Sequence, residues 1–219
     1  MKILVVGANG QIGKQLVHML HDHPNYEVKA MIRKQEQASY FQKAGIESVL
    51  ANLDGTVSEL ADAARDCGAV VFTAGSGGGT GFDQTLLIDL DGAAKVIEAA
   101  ELAGIQRFIM ISALQAHRRE HWSEQIKPYY AAKHHADQIL RNSGLNYTII
   151  RPGGLMNEDG TGKVAAAEDI RSGSIPREDV ARTALLSLDE ESTFRRSFDL
   201  VSGDTPIADA LSALDAPLN

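Results

Sequence analysis

Near the start of the chain, Ile3-Leu4-Val5-Val6 runs straight into Gly7-Ala8-Asn9-Gly10-Gln11-Ile12-Gly13, and this junction constrains the fold more than any other stretch. Four apolar residues in a row leave no polar face. The strand that they form belongs in the interior of a parallel sheet, covered on both sides. The helix that follows turns Ile12, Leu16, Val17 and Leu20 to one side and so can cover it. Glycines at the carboxyl end of such a strand let backbone approach a ligand closely, and the helix start aims free N–H groups and a positive dipole end at the same spot. A diphosphate fits there. A tight turn that binds nothing would use the same glycines, but the buried strand before them and the amphipathic helix after them are the context that phosphate binding requires.

The alternation continues. Further strands are predicted at Glu27–Ile32, Glu47–Ala51, Ala69–Gly75, Gln106–Ile111, Asn146–Gly153 and Arg196–Val201. Helices are predicted around Ala38–Ala44, Val57–Arg65, Leu86–Ala103, from Tyr129 onward, from Ser174 onward and over Ile207–Leu214. A chain of 219 residues with this pattern reads as one α/β domain. The glycine-containing stretch from Gly153 to Gly173 reads as a mobile loop over the site. With the C-terminal segment, residues of about 153–180 form a small substrate-side region.

Composition narrows the function classes. With 44% apolar and 23% charged residues the chain is an ordinary folded protein, and a net charge of −8 argues against nonspecific nucleic-acid binding. Cys67 is the single cysteine, has no CxxC partner, and reads as a half-buried residue at a helix end in a reducing cytoplasm. No apolar run reaches membrane length. The expectation is a soluble cytoplasmic protein acting on a small molecule, with no nucleic-acid or membrane partner and with monomer or homodimer left open. In the loop Gln115–Pro128, which carries His117, Arg118, Arg119, His121 and Trp122, the histidines do not have the spacing of a metal-ligand set, so no metal is expected. Arg118 and Arg119 suit an anionic substrate or a solvated loop equally.

Three further positions carry chemistry. Arg33 ends the second strand about twenty residues past Gly13, where an acid would meet a ribose 2′-hydroxyl and an arginine a 2′-phosphate. With Arg33 there and no acid beside it, NADP is favoured over NAD, although a solvated basic turn would look the same. Ala74 and Gly75 end the fourth strand beside the first and should lie along the ribose and diphosphate. Tyr129 and Lys133 stand one helical turn apart, and an ammonium near a phenol lowers its pKa from about 10, so that the tyrosine can exchange a proton.

Taken in chain order, Gly7/Gly10/Gly13, Arg33, Asn52-Leu53, Ala74-Gly75, Ser112, Tyr129/Lys133 and Arg151-Pro152-Gly153 resemble an atypical short-chain dehydrogenase/reductase of the NAD(P)-binding, NAD-dependent epimerase/dehydratase-like or NmrA-like kind. The resemblance implies a Rossmann-type doubly wound parallel sheet of order 3-2-1-4-5-6 with a seventh strand and helices on both faces. It implies that the glycine turn with Asn9, Gln11 and Ile12 seats the diphosphate. Asn52 takes the place of a family acid that, with Leu53, contacts adenine, and Arg151, Pro152 and Gly153 shape the nicotinamide and substrate side. Ser112 either orients substrate or, if the family serine aligns with Ala113, touches the nicotinamide side. Asp89 occupies the place of a family Asn; as a mid-helix acid it is expected to be exposed or locally paired, with no catalytic role. The implied activity is NAD(P)-dependent oxidation or reduction of a small carbonyl or hydroxyl compound. Tyr129 would give or take the proton, and Lys133 would tune it and hold the nicotinamide ribose. The alternatives are an NADP(H)-sensing regulator of NmrA-like type and a nucleotide-sugar epimerase/dehydratase relative.

Overall fold

In the computed structural model, which describes residues 1–215, the apolar N-terminal run is the inner strand β1 (Lys2–Val6). It is followed by β2 (Glu27–Ile32), β3 (Glu47–Leu50), β4 (Ala69–Phe72), β5 (Arg107–Ile111) and β6 (Asn146–Pro152). These six pair in the order β3-β2-β1-β4-β5-β6, every pair parallel, as expected of a Rossmann-type sheet. Ile3 and Val5 face one layer of the core and Leu4 and Val6 the other, which is why β1 needs apolar residues at every position.

Helices fill both layers. On the Ile3 side lie α1 (Gln11–His21) and α2 (Ala38–Lys43), and on the Leu4 side α3 (Val57–Ala63). The predicted helix Leu86–Ala103 is longer and less regular than its sequence suggests. It begins as α4 (Phe82–Gln84), widens into a π-helical segment over Thr85–Gly92, and closes as α5 (Ala93–Leu102). The wider turn rotates Asp89 inward. Next comes α6 (Lys127–Asn142), started by Pro128 in its first turn. Among the described residues no helix is long and apolar enough to cross a membrane.

Past β6 the structure departs from the predicted loop. Residues 153–173 hold β7 (Gly154–Met156) and β8 (Lys163–Ala167). β7 pairs with β9 (Ser174–Pro176) in a separate small sheet, so helix α7 (Arg177–Leu186) starts after Pro176 rather than at Ser174. The expected seventh strand, β10 (Arg196–Ser202), joins β6 in parallel. Beyond it β8 and β11 (Thr205–Pro206) add an antiparallel edge, covered by α8 (Ile207–Ser212). Short strands rich in alanine and glycine carry little β-propensity, and β8 is a strand because β10 offers it an edge.

The crossing of α1 over β1 depends on two glycines. Gly7 holds φ +84, a left-handed backbone that suits glycine, and a Cβ there would lie 2.6 Å from the amide nitrogen of Ala74. A Cβ on Gly13 would fall on the carbonyl oxygen of Gly7 and within 2.9 Å of Thr73 Oγ1. Gly13→Ala should therefore lower stability by ~2 kcal/mol through overpacking, read as a shift of the urea midpoint. Gly78→Ala, whose added carbon meets nothing within 4 Å, should change stability by no more than about 0.5 kcal/mol, measured the same way.

Candidate active site

The glycine turn and the end of β4 form the floor of a crevice of about 540 Å³ at the carboxyl edge of the sheet. Gly10 N donates to Gly7 O at 2.9 Å, and no side chain caps α1, so the first-turn N–H groups of Gln11, Ile12 and Gly13 have no capping acceptor. Thr73 Oγ1 donates to Val6 O at 2.9 Å and ties the ends of β1 and β4 together. Gly10, Gln11, Ile12, Ala74 and Gly75 line this floor, as the sequence leads one to expect. Beyond them Ser76 N donates to Asp89 Oδ2 at 3.0 Å, while Gly77, Gly78 and Gly79 form an open rim.

The opposite wall carries Ser112, Tyr129, Lys133 and Pro152. Lys133 is 3% exposed, and its Nζ lies 3.2 Å from Asp89 Oδ1 and 3.2 Å from Ile111 O. Asp89 is fully buried, so the expectation of an exposed or idle mid-helix acid is corrected: it is the charge partner of Lys133 across the crevice. Its place in the family's apolar-Asn-apolar-Gly pattern was the sequence signal.

The electrostatics of Tyr129 also differ from expectation. Burial pushes the phenol up, Lys133 pulls it down, and Asp89, Tyr130 and Asp137 push it up again, with a net rise above the ordinary tyrosine value. Lys133 is itself held above its ordinary value: burial lowers it, but the oxygens of Tyr129, Asp89 and Asp137 outweigh that. At neutral pH the pair is thus a neutral phenol next to an ammonium. That is a proton donor with a fixed positive neighbour. Ser112 is buried, and its hydroxyl oxygen has no partner among the described residues. A buried hydroxyl left unpaired at a crevice wall is set to meet a ligand. Ala113 is buried outside the crevice lining, so Ser112 is the member of that pair that faces the site.

Several expected site residues lie elsewhere. Arg33 is exposed just past β2, in a turn held by Gln37 Oε1, which accepts from the backbone N–H groups of Arg33 and Lys34 at 3.1 Å each. Asn9 is exposed. Asn52 Oδ1 accepts locally from Asp54 N at 3.3 Å, and Leu53 is buried against Gly92. Gly153 packs beneath Gly173 and donates its N–H to Leu200 O at 2.9 Å. Arg151 is 1% exposed and bonds Asp137 through Nε at 3.1 Å, lining a different cavity. Alternation along β6 explains the split, because successive side chains take opposite faces and only Pro152 of the tripeptide reaches the crevice. His117 has a ring nitrogen within 4.8 Å of carboxylate oxygens of Asp169 and Asp199, both remote from it in sequence. Cys67 is half-buried as expected, and burial pushes its thiol up. Residues that the sequence reading passed over also face the crevice. They are Thr73 and Thr85 near the floor and Phe82, Ile126, Leu155 and Arg177 at the mouth.

Comparison with known proteins agrees with this geometry. The model of the NAD(P)H-binding family matches residues 7–191. The chain is 62% identical over 214 residues to YhfK of Bacillus subtilis (strain 168), described as an uncharacterized sugar epimerase, covering 98% of this chain and 100% of that one. Among solved structures, a candidate NAD-dependent epimerase/dehydratase from Bacillus halodurans superposes with a TM-score of 0.91 at 41% identity, covering 96% of this chain and 98% of that one. ChuY, an anaerobillin reductase from Escherichia coli O157:H7, superposes with a TM-score of 0.81 at 25% identity, covering 93% and 98%. The chain belongs to the NAD(P)-binding, atypical short-chain dehydrogenase/reductase family, a group of Rossmann-type epimerases and reductases.

Proposed function

We propose that the protein is an NADP-dependent oxidoreductase that reduces a small carbonyl compound. The observation that carries this reading is that Tyr129, Lys133 and the unpaired hydroxyl of Ser112 line the same crevice as the glycine turn. The residues present fit a dinucleotide. Gly10, Gln11 and Ile12 at the uncapped start of α1 line the crevice and suit a diphosphate, Gly7 and Gly13 let the turn pack closely against Ala74 and Thr73 beneath it, and Ser112 has an unused hydrogen-bonding group. A nicotinamide held there supplies the hydride. The chain's own residues do the rest: Ser112 donates to the substrate oxygen and orients it, and Tyr129 delivers the proton to that oxygen. Lys133, anchored by Asp89, stabilises the negative charge left on the phenol.

Arg33 and Lys34, exposed together past β2 with no acid at the strand end, support a 2′-phosphate and hence NADP. The mouth of the crevice favours reduction of an amphipathic carbonyl over a sugar. Phe82, Ile126 and Leu155 are 54%, 42% and 39% exposed there, and Arg177, held by Asn157 Oδ1 at 2.7 Å, supplies one cation for an acidic substituent. ChuY, a reductase of similar architecture, fits this reading, whereas the description of YhfK points to sugar epimerisation. The apolar mouth weighs against the latter.

Three outcomes test the proposal. Tyr129→Phe should lower NADPH-dependent turnover of a panel of carbonyl compounds about 10²- to 10⁴-fold while cofactor affinity changes little. Equal turnover by both proteins removes Tyr129 from the chemistry, and NADPH binding without turnover of any carbonyl moves the protein to the sensing class. Reduction needs the protonated phenol, so its rate is full below the Tyr129 pKa and lost as pH rises through it. Because Asp89 helps hold that pKa up, Asp89→Asn should move the alkaline limb of the pH–rate profile to lower pH. Arg33→Ala should weaken NADPH about tenfold and leave NADH unchanged, measured by calorimetry, as expected for one charge-assisted bond to a 2′-phosphate.

A further inference from the structure

Apart from the crevice, one face of β6 and β10 carries several polar side chains. Tyr147, Ile149 and Arg151 of β6 share this face with Ser197 and Asp199 of β10, and Arg195 lies just ahead of β10. With the end of α6 and the 117–118 and 168–169 loops they enclose a cavity of about 510 Å³, a volume that suits a small metabolite. Five arginines line it: Arg118, Arg141, Arg151, Arg195 and Arg196. The opposing acids are two at the rim, Glu168 and Asp169, and two buried beneath, Asp137 and Asp199.

Much of this negative charge is already engaged. Asp169 pairs with Arg118 at 3.1 Å. Asp199 accepts from Ile170 N at 3.0 Å, from Gln115 Nε2 at 3.0 Å and from Gln115 N at 3.4 Å. Asp137 holds Arg151 Nε. Three of the arginines keep unspent donor capacity. Arg141 bonds only the neutral hydroxyl of Ser197 among the described residues, and Arg195 lies over the Tyr147 ring and donates to Leu145 O at 3.2 Å. Arg151 is 1% exposed, yet its Nη2 has no partner among the described residues. A buried guanidinium nitrogen without an acceptor is costly, and its natural complement is an oxyanion. The trio His117, Asp169 and Asp199 has spacing compatible with a cation, but Arg118 and Arg151 crowd it with positive charge.

We propose that this groove is a second binding site, separate from the cofactor crevice, which takes a small metabolite through a phosphate or carboxylate group held between Arg141, Arg151 and Arg195. Amide NMR of the full chain, titrated separately with inorganic phosphate and with citrate, tests it. The expected result is a saturable shift of the amides of His117, Arg118 and Arg195–Ser197 by one of the two probes. The stronger probe identifies the group as phosphate or carboxylate. Arg141→Gln, at an exposed helix position, should weaken that binding about tenfold. Arg151→Lys, which keeps the charge that faces Asp137 but loses the fork, should weaken it as well. Shifts confined to Gly10–Gly13, no response to either probe, or wild-type affinity in Arg141→Gln would overturn the proposal. So would selective broadening at His117 by Mn²⁺ with no anion response. None of these results bears on whether the crevice reduces a carbonyl.

Discussion

Two buried opposite charges, Asp89 and Lys133, hold together the elements that wall the crevice. Each alone would be costly inside the protein, and removal of one partner from such a pair commonly costs ~3–5 kcal/mol. The pair therefore locks three elements to one another: the π-helical segment that carries Asp89, helix α6 that carries Lys133, and the end of β5, whose Ile111 carbonyl takes another Lys133 hydrogen bond. Through Ser76 N, Asp89 also anchors the loop that leaves β4. The floor of the crevice and its reactive wall are thus fixed by one acid.

Burial sets the protonation of Tyr129, and the same acid reinforces it. An ammonium next to a phenol, considered as a pair, lowers the phenol pKa; in the folded protein burial and Asp89 outweigh that effect. Tyr129 is left as an acid and Lys133 as a permanent cation, an arrangement that favours proton delivery. Asp137, one turn further along α6, contributes to the field at Lys133 and at the same time grips Arg151 beneath the arginine groove. The two cavities have no lining residue in common but share this buried neighbour.

How much of this was legible depended on whether a residue's role follows from its neighbours in sequence. The glycine turn was legible because strand, turn and helix start are local, and Gly10, Gln11, Ile12, Ala74 and Gly75 lie where that reading puts them. Tyr129 and Lys133 were legible because one helical turn separates them. Arg151 was misplaced because the tripeptide Arg-Pro-Gly reads as a unit, whereas a strand sends its side chains to alternate faces. Asp89 was undervalued because a mid-helix acid is ordinarily solvated, and nothing local reveals that the helix widens there. The strand β8 was hidden for a related reason: Val164 and its alanines become a strand only where β10 offers an edge.

The sequence by itself carried the alternation of strand and helix, the position of the glycine turn and the one-turn spacing of Tyr129 and Lys133, since each rests on periodicity or spacing over a few residues; the order of the sheet came with the family resemblance. The tertiary structure alone decided which charges face one another: Asp89 with Lys133, Asp137 with Arg151, and the arginines of α6, β6 and the start of β10 around one groove. Those partners come from segments far apart in the chain. Burial removes the water that would otherwise screen them, so their protonation and their vacant hydrogen-bonding capacity exist only once the layers have packed.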